Sequence, residues 1–384
     1  MMNKNQQPSK IDFTIILVLI LLCIISVIAI YSAPLPIHFK SANFHIKQIM
    51  YYIIGAMGII VVMTVDYDRL RHVHWYFYSF GVLLLIGLAL HVPGTVTRKG
   101  ATSWYELPFG LGDFQPAELM KLFLIITLSH IIAKHNETYP IRTIREDLLL
   151  IGKVALASFL PFILIYKQPD LGTSLVIVAI IASLVLVSGV NWKILVSMAL
   201  SFILFMTVLV YVYVAFPQYF PLKKYQLNRI ISWLDPYEYE GTIGYQLVKS
   251  LQAIGSGGLY GRGYNNGIVG LPEAHTDFIF GVIAEEFGFI GASLVISLFF
   301  ILIYRMIHIA IESNDPFGSY LCAGIVGMIT FQIFENIGMG IQVLPITGIP
   351  LPFLSYGGSS LLTSMLAVGL VLNVRSRTRK FMFD

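Results

Sequence analysis

The chain has 384 residues, 57% of them hydrophobic and 12% charged, with a mean hydropathy of +0.77. Soluble domains carry about 25% charged residues, so this composition excludes one; apolar runs of roughly 20 residues from end to end describe an integral membrane protein. The formal net charge of +4 matters less than where the charges sit, and no nucleic-acid partner is expected.

Runs such as Ile15 to Ile30 are continuous and do not alternate apolar with polar residues. That selects helices over a β-barrel. Hydropathy and helix breakers predict an all-α membrane protein with about ten transmembrane helices, forming one polytopic domain over residues 1–384. The spans fall near 12–33, 46–65, 74–92, 115–133, 148–166, 171–189, 194–215, 278–305, 318–343 and 357–374. Tyr31-Ser32-Ala33-Pro34 is a poor cleavage site, so the first run reads as a retained span. Cys23 and Cys322 both fall inside apolar runs and suggest neither a disulfide framework nor a thiol metal site.

Lys4, Lys10, Arg69, Arg71, Lys134, Arg142, Arg145, Lys193, Arg375, Arg377, Arg379 and Lys380 fall on one face of the ten-span arrangement. The excess of basic residues makes that face cytoplasmic, with both termini inside. Lys40, Lys47, Arg98 and Lys99 lie on the outer side against this trend.

The connection from Phe216 to Thr276 is much longer than the others and is predicted to be extracytoplasmic. Tyr219, Tyr225, Ile230, Ile231, Trp233 and Leu234, then Tyr245 to Ile254, suggest amphipathic helices lying at the outer interface. The glycine-rich stretch Gly255 to Gly263 lacks the Gly-Lys-Ser/Thr ending of a phosphate loop. It reads as a mobile hinge, with phosphate contact through backbone N–H groups as the alternative.

Chemistry-bearing residues concentrate near apolar segments. Asp277 follows Glu273, His275 and Thr276 at the entrance to span eight. Thr276 or Asp277 suits a helix cap; Asp277 also suits a general base at the mouth of a cavity, with Glu273 and His275 near enough to share the site. Glu118 and Lys121 stand i, i+3 on span four, where they can pair or line a polar cavity. In Lys167-Gln168-Pro169-Asp170, Pro169 forces an extended turn and Asp170 can cap the next helix. Glu335 and Asn336 lie in span nine, where a carboxylate needs a partner or water. The loop Leu344 to Phe353 is apolar yet punctuated by Pro and Gly, and is expected to fold back into the membrane. No zinc-type spacing or nucleotide loop occurs, so a pump drawing on ATP is disfavoured and no nucleotide cofactor is expected.

Six ordered motifs carry a resemblance. They are Gly100-Ala101-Thr102-Ser103-Trp104, Phe114-Gln115-Pro116-Ala117-Glu118-Leu119-Met120-Lys121, Gln168-Pro169-Asp170-Leu171-Gly172-Thr173, His275-Thr276-Asp277-Phe278, Glu285-Glu286-Phe287-Gly288, and Gly348 to Gly358 with Ser355-Tyr356-Gly357-Gly358. The chain resembles the SEDS family (shape, elongation, division and sporulation), whose members include RodA, FtsW and SpoVE. The short tails are most like RodA. The resemblance implies a peptidoglycan glycosyltransferase that polymerises lipid II on the outer membrane face for cell-wall elongation and cell shape, with a class B penicillin-binding protein as partner. It makes Asp277 the essential residue. Two positions depart from a common pattern: Ser103 and Asp113 stand where many members carry Arg. The charge for the departing diphosphate then falls to Lys121, Lys167, Arg229, Arg262 or a divalent cation, Mg or Mn, held by carboxylates such as Asp277 and Glu118. Inversion at an α-linked donor needs no second, nucleophilic carboxylate. Small residues on spans eight and nine, Gly288, Gly291, Ala292, Gly324 and Gly327, offer a groove for the partner's single span. The reading from another class is a lipid II flippase, which would use the same intramembrane charges without covalent chemistry.

Overall fold

The computed structural model describes residues 11–34, 43–98, 101–108, 112–215 and 224–378. Lys4, Lys10, Lys40, Lys99, Gly100, Tyr219, Arg379, Lys380 and the stretch 216–223 lie outside the described residues.

Helices occupy all ten predicted positions. In chain order they are α1 (Phe13–Ser32), α2 (Phe44–Thr64), α3 (Leu70–Ala89), α4 (Pro116–Thr138), α5 (Ile144–Lys167), α6 (Leu171–Val187) and α7 (Trp192–Ala215), then two short helices, α8 (Lys224–Leu234) and α9 (Tyr245–Ser256), and finally α10 (Ile279–Glu312), α11 (Pro316–Gly340) and α12 (Gly358–Arg377). Among the described residues nine helices are long and apolar enough to cross a membrane; α6 is the shorter tenth. At about 1.5 Å per residue α6 extends about 25 Å, less than the ~30 Å hydrocarbon core. The described part of the long connection forms the two short helices α8 and α9.

Local chemistry sets the helix ends. Asp12 caps α1 through the Thr14 and Ile15 N–H groups and pairs with Arg305 of α10 at 2.5 Å. Asp315 caps α11 through Gly318 N–H, with Pro316 at the first helical position, and accepts from Arg71 at 2.6 Å. Capping and pairing by one carboxylate thus tie together the helix ends of one face.

α4 is the axis of the bundle. Of its membrane-length window 83% is buried, against 22% for α2 and none for α7. It packs against α3, α5, α6, α11 and α12, while α2 lies along α12 and α1 along α10. α7 stands apart, and residues 196–208 are exposed throughout; a helix apolar on all sides is suited to lipid contact.

Three features differ from the sequence reading. First, the α3–α4 connection forms a small antiparallel sheet in the order β1-β2-β3, from β1 (Thr95–Arg98), β2 (Ala101–Glu106) and β3 (Asp113–Phe114). The β-branched and aromatic residues Thr95, Val96, Thr97, Trp104 and Tyr105 favour it, so the fold is nearly, not wholly, all-α. Second, Gly324 and Gly327 do not line an outer groove. A Cβ on Gly324 would lie 2.8 Å from Ile125 of α4, and one on Gly327 would lie 2.2 Å from Ser183 of α6. They let α11 approach its own bundle.

Third, α10 is broken. Gly288 has φ 64° and ψ −159°, and a Cβ on Gly291 would lie 3.8 Å from the carbonyl oxygen of Ile283. Eight residues of straight helix would separate those positions by about 12 Å, so the chain turns back sharply at Gly288. The backbone groups freed by the break are taken by the glycine-rich stretch. Phe289 N–H donates to Gly258 O at 2.9 Å and Ile290 N–H to Leu259 O at 3.3 Å; in return Arg262 N–H reaches Glu285 O and Gly263 N–H reaches Glu286 O, both at 3.0 Å. The Glu285 carboxylate accepts from Ile268 and Val269 N–H. Glu286 accepts from Asn265 N–H and from the Ser32 hydroxyl at the end of α1. The expected mobile hinge is therefore a clasp around the α10 break. Its glycines are required by contact: a Cβ on Gly261 would meet Glu286 O at 2.0 Å.

Candidate functional site

Asp277 sits where the turn 272–278 meets the irregular loop 341–357. The turn is held from behind by three consecutive carbonyls. His275 O accepts from Tyr356 N–H at 2.8 Å, Thr276 O from the Ser355 hydroxyl at 2.5 Å, and Asp277 O from the Asn336 amide at 2.8 Å. The loop that supplies two of these donors is anchored in turn. Ser26 of α1 donates to Leu354 O at 2.8 Å, Gln48 of α2 to Ser355 O at 3.2 Å, and Tyr52 of α2 to Phe353 O. With its main chain fixed this way, the Asp277 carboxylate lies beside Gly348. A Cβ on Gly348 would be 3.5 Å from Asp277 Oδ2, an ordinary contact, and it is the φ of +81° that favours glycine there.

Phe278 occupies the N-cap position of α10, and its own side chain makes no capping hydrogen bond. Thr276 turns its hydroxyl back toward Glu273. Glu273, at φ +50°, closes the turn by accepting Thr276 and Phe278 N–H on its carbonyl. The His275 ring, 8% exposed, stacks on Phe44 of α2 at 4.8 Å beside Tyr356, so its packing is with the aromatic residues behind the turn.

A second polar group lies beneath the same loop. Lys121 Nζ meets Glu118 Oε1 at 2.8 Å, and the two residues are 1% and 3% exposed. Asp170 caps α6 through Thr173 N–H at 2.9 Å and accepts the Gln115 amide at 2.9 Å, which ties the start of α6 to the start of α4. The charges of Glu118 and Lys121 both act on Asp170. Glu335, 1% exposed, has the Thr347 hydroxyl and the charges of Asp170 and Lys121 around it. Gly172 brings α6 against Thr347 and Ile349, and Arg229 of α8 donates to Thr347 O at 3.1 Å.

The loop 347–349 thus joins Asp277 to Glu118, Lys121, Asp170, Glu335 and Arg229, six of the ten predicted site residues. The other four sit differently. Glu273 and His275 shape and back the turn. Lys167 is exposed at the end of α5, and Arg262 is exposed in the clasp. Among the described residues no three His, Cys, Asp or Glu side chains converge as a metal site. Asn336, Ser355, Gln115 and Gly348 were not predicted as site residues. Ser355, Gln115 and Gly348 fall in quoted motifs, and Asn336 adjoins Glu335. That adjacency was the signal available for it.

What this arrangement offers is a carboxylate on a rigid turn, one arginine on the loop beside it, and a buried ammonium with three carboxylates below. The sequence profile of the cell cycle protein family FtsW/RodA/SpoVE matches residues 12–380. A probable peptidoglycan glycosyltransferase FtsW of Geobacter sp. (strain M18) is 34% identical, covering 96% of this chain and 97% of the relative. Stage V sporulation protein E of Bacillus subtilis (strain 168) is 34% identical, covering 99% and 100%. Peptidoglycan glycosyltransferase MrdB of Escherichia coli (strain K12) is 31% identical, covering 96% and 94%. Among solved structures, a chain of a peptidoglycan synthase complex superposes with a TM-score of 0.78 at 27% identity, over 95% of this chain and 97% of that one. The rod shape determining protein RodA of Thermus thermophilus gives 0.68 at 25% identity, over 97% and 98%. Family profile, full-length relatives and fold agree, and the chain belongs to the FtsW/RodA/SpoVE family of multi-pass membrane proteins.

Proposed function

We propose that this chain is a peptidoglycan glycosyltransferase that polymerises lipid II at the outer face of the membrane, with Asp277 as general base. The observation that carries the reading is the placement of Asp277. The turn that carries it is held through three consecutive carbonyls, and its carboxylate lies beside Gly348. A general base needs such fixed presentation more than it needs an unusual intrinsic strength. Asp277 takes the proton of the acceptor sugar hydroxyl as that oxygen attacks the anomeric carbon of the donor. The bond to the donor diphosphate breaks in the same displacement, with inversion. Arg229, which donates to the Thr347 carbonyl, and Lys121, paired with Glu118, are the cations assigned in this reading to the negative charge of the leaving diphosphate.

The relatives named peptidoglycan glycosyltransferase support the activity, and the synthase complex among the solved structures supports a penicillin-binding protein as partner. The names FtsW, stage V sporulation protein E, MrdB and RodA all occur among the relatives; an elongation role is tested by depletion, which should round rod-shaped cells before it blocks their septation.

Purified protein supplied with lipid II and no other enzyme tests the activity itself. The reading requires glycan chains of many disaccharides, resolved on a gel. Movement of dye-labelled lipid II between leaflets without any polymer would make the protein a transporter instead.

A further inference from the structure

Asn336 makes a pair of hydrogen bonds that packing alone does not require. Its side chain is buried, 1% exposed, near the end of α11. Its Nδ2 donates to Asp277 O at 2.8 Å and to Ile349 O at 2.7 Å. Its Oδ1 is buried and takes no hydrogen bond among the described residues. The amide is therefore oriented by the two carbonyls.

The two carbonyls belong to segments that must be kept in register with each other. One is the peptide of Asp277. The other belongs to Ile349, directly after Gly348, which faces the Asp277 carboxylate. Neither segment is helix or strand, so neither has a ladder of its own to fix it. Ser355 and Tyr356 hold the carbonyls of Thr276 and His275, but both donors come from the far side of the loop. Asn336 bonds both segments at the point where they face each other.

We propose that Asn336 is a positioning residue for the reaction, which sets the separation of the Asp277 carboxylate from the Gly348 backbone; this rests on Asp277 being the base. Asn336 acts on the main chain of Asp277 and not on the lipid substrate. Its loss therefore lowers turnover and leaves substrate affinity unchanged. A misplacement of about 1 Å in a reacting group can cost about 100-fold in rate.

The test uses full-length protein with Asn336→Ala and, as a second variant that keeps a polar side chain, Asn336→Ser. Each is compared with wild type for lipid II polymerisation and for melting temperature in detergent. Wild-type polymerisation is the control for the activity itself: if it is absent, the glycosyltransferase reading fails independently of Asn336. With wild type active, the expected result is a kcat lowered at least tenfold in both variants, KM for lipid II within threefold of wild type, and melting within a few degrees. Wild-type kcat in either folded variant overturns the proposal. So does a loss explained by raised KM, which would make Asn336 a substrate contact. If neither variant accumulates as folded protein, Asn336 is scaffolding and the positioning role is withdrawn.

Discussion

Lys121 has more to balance than its partner does. It contacts Glu118 directly, and its charge also acts on Asp170 and Glu335. Removing one member of a buried pair leaves an uncompensated charge, at about 3–5 kcal/mol. The two removals are not equivalent here. Glu118→Gln leaves Lys121 with two other carboxylates, whereas Lys121→Met leaves Glu118, Asp170 and Glu335 facing one another. The yield of monodisperse protein in detergent should therefore fall further for Lys121→Met, and Glu118→Gln should recover part of that loss when the two are combined. Equal loss in both single variants would show that Lys121 balances Glu118 alone. Single charged residues are the most legible part of the site, because Asp277, Glu118, Lys121, Asp170 and Glu335 interrupt apolar surroundings at a cost that calls for a reason. Asn336 was not legible as a site residue. An amide carries no charge to stand out, and its two acceptors lie 59 and 13 residues away in sequence.

Helices were legible as elements because each is a long apolar run, and their ends lie close to the predicted ones. Breaks inside a run were not. Hydropathy reads straight through Gly288, since a glycine in an apolar run does not declare its φ angle. The glycine-rich stretch likewise gave its composition but not its partner, which lies on α10. Its contacts make a sharp comparison possible. Gly261 has φ +82°, and a Cβ there would meet backbone at 2.0 Å; a non-glycine residue in the left-handed region costs about 1–3 kcal/mol before any clash. Gly255 lies within α9 with nothing inside 4 Å of its Cβ position, where alanine should gain about 0.5–1 kcal/mol. Gly261→Ala should lower the melting temperature and Gly255→Ala should hold or raise it. Similar melting of both variants would mean that the clasp does not hold the α10 break together. The three-stranded sheet escaped prediction for a simpler reason: its strands have 4, 6 and 2 residues, too few to show a period.

At the scale of the molecule, ten apolar helices place Asp277 and the long loop at one end and the Asp12–Arg305, Arg71–Asp315 and Arg375–Glu312 pairs at the other. The excess of Lys and Arg predicts that the second end faces the cytoplasm. Cysteines introduced at Tyr239 and Thr378 check this in intact cells. An impermeant maleimide should label position 239 and not 378, and the reverse pattern would turn the protein over and move Asp277 to the wrong side for outer-face synthesis. The bundle was legible from composition, but the way it builds a site was not. α1 and α2 hold the loop 353–355, that loop and α11 hold the turn 275–277, and α6 closes on residues 347–349, all through contacts distant in sequence. These contacts have one outcome, a fixed carboxylate at Asp277. The most direct test is polymerisation of lipid II by purified Asp277→Asn beside wild type. Asparagine keeps the shape but cannot accept the proton at neutral pH, and loss of a general base typically costs about 10²–10⁴-fold in rate. The account predicts a variant that melts like wild type and makes glycan at least a hundredfold more slowly; glycan made at the wild-type rate by the folded variant would contradict it.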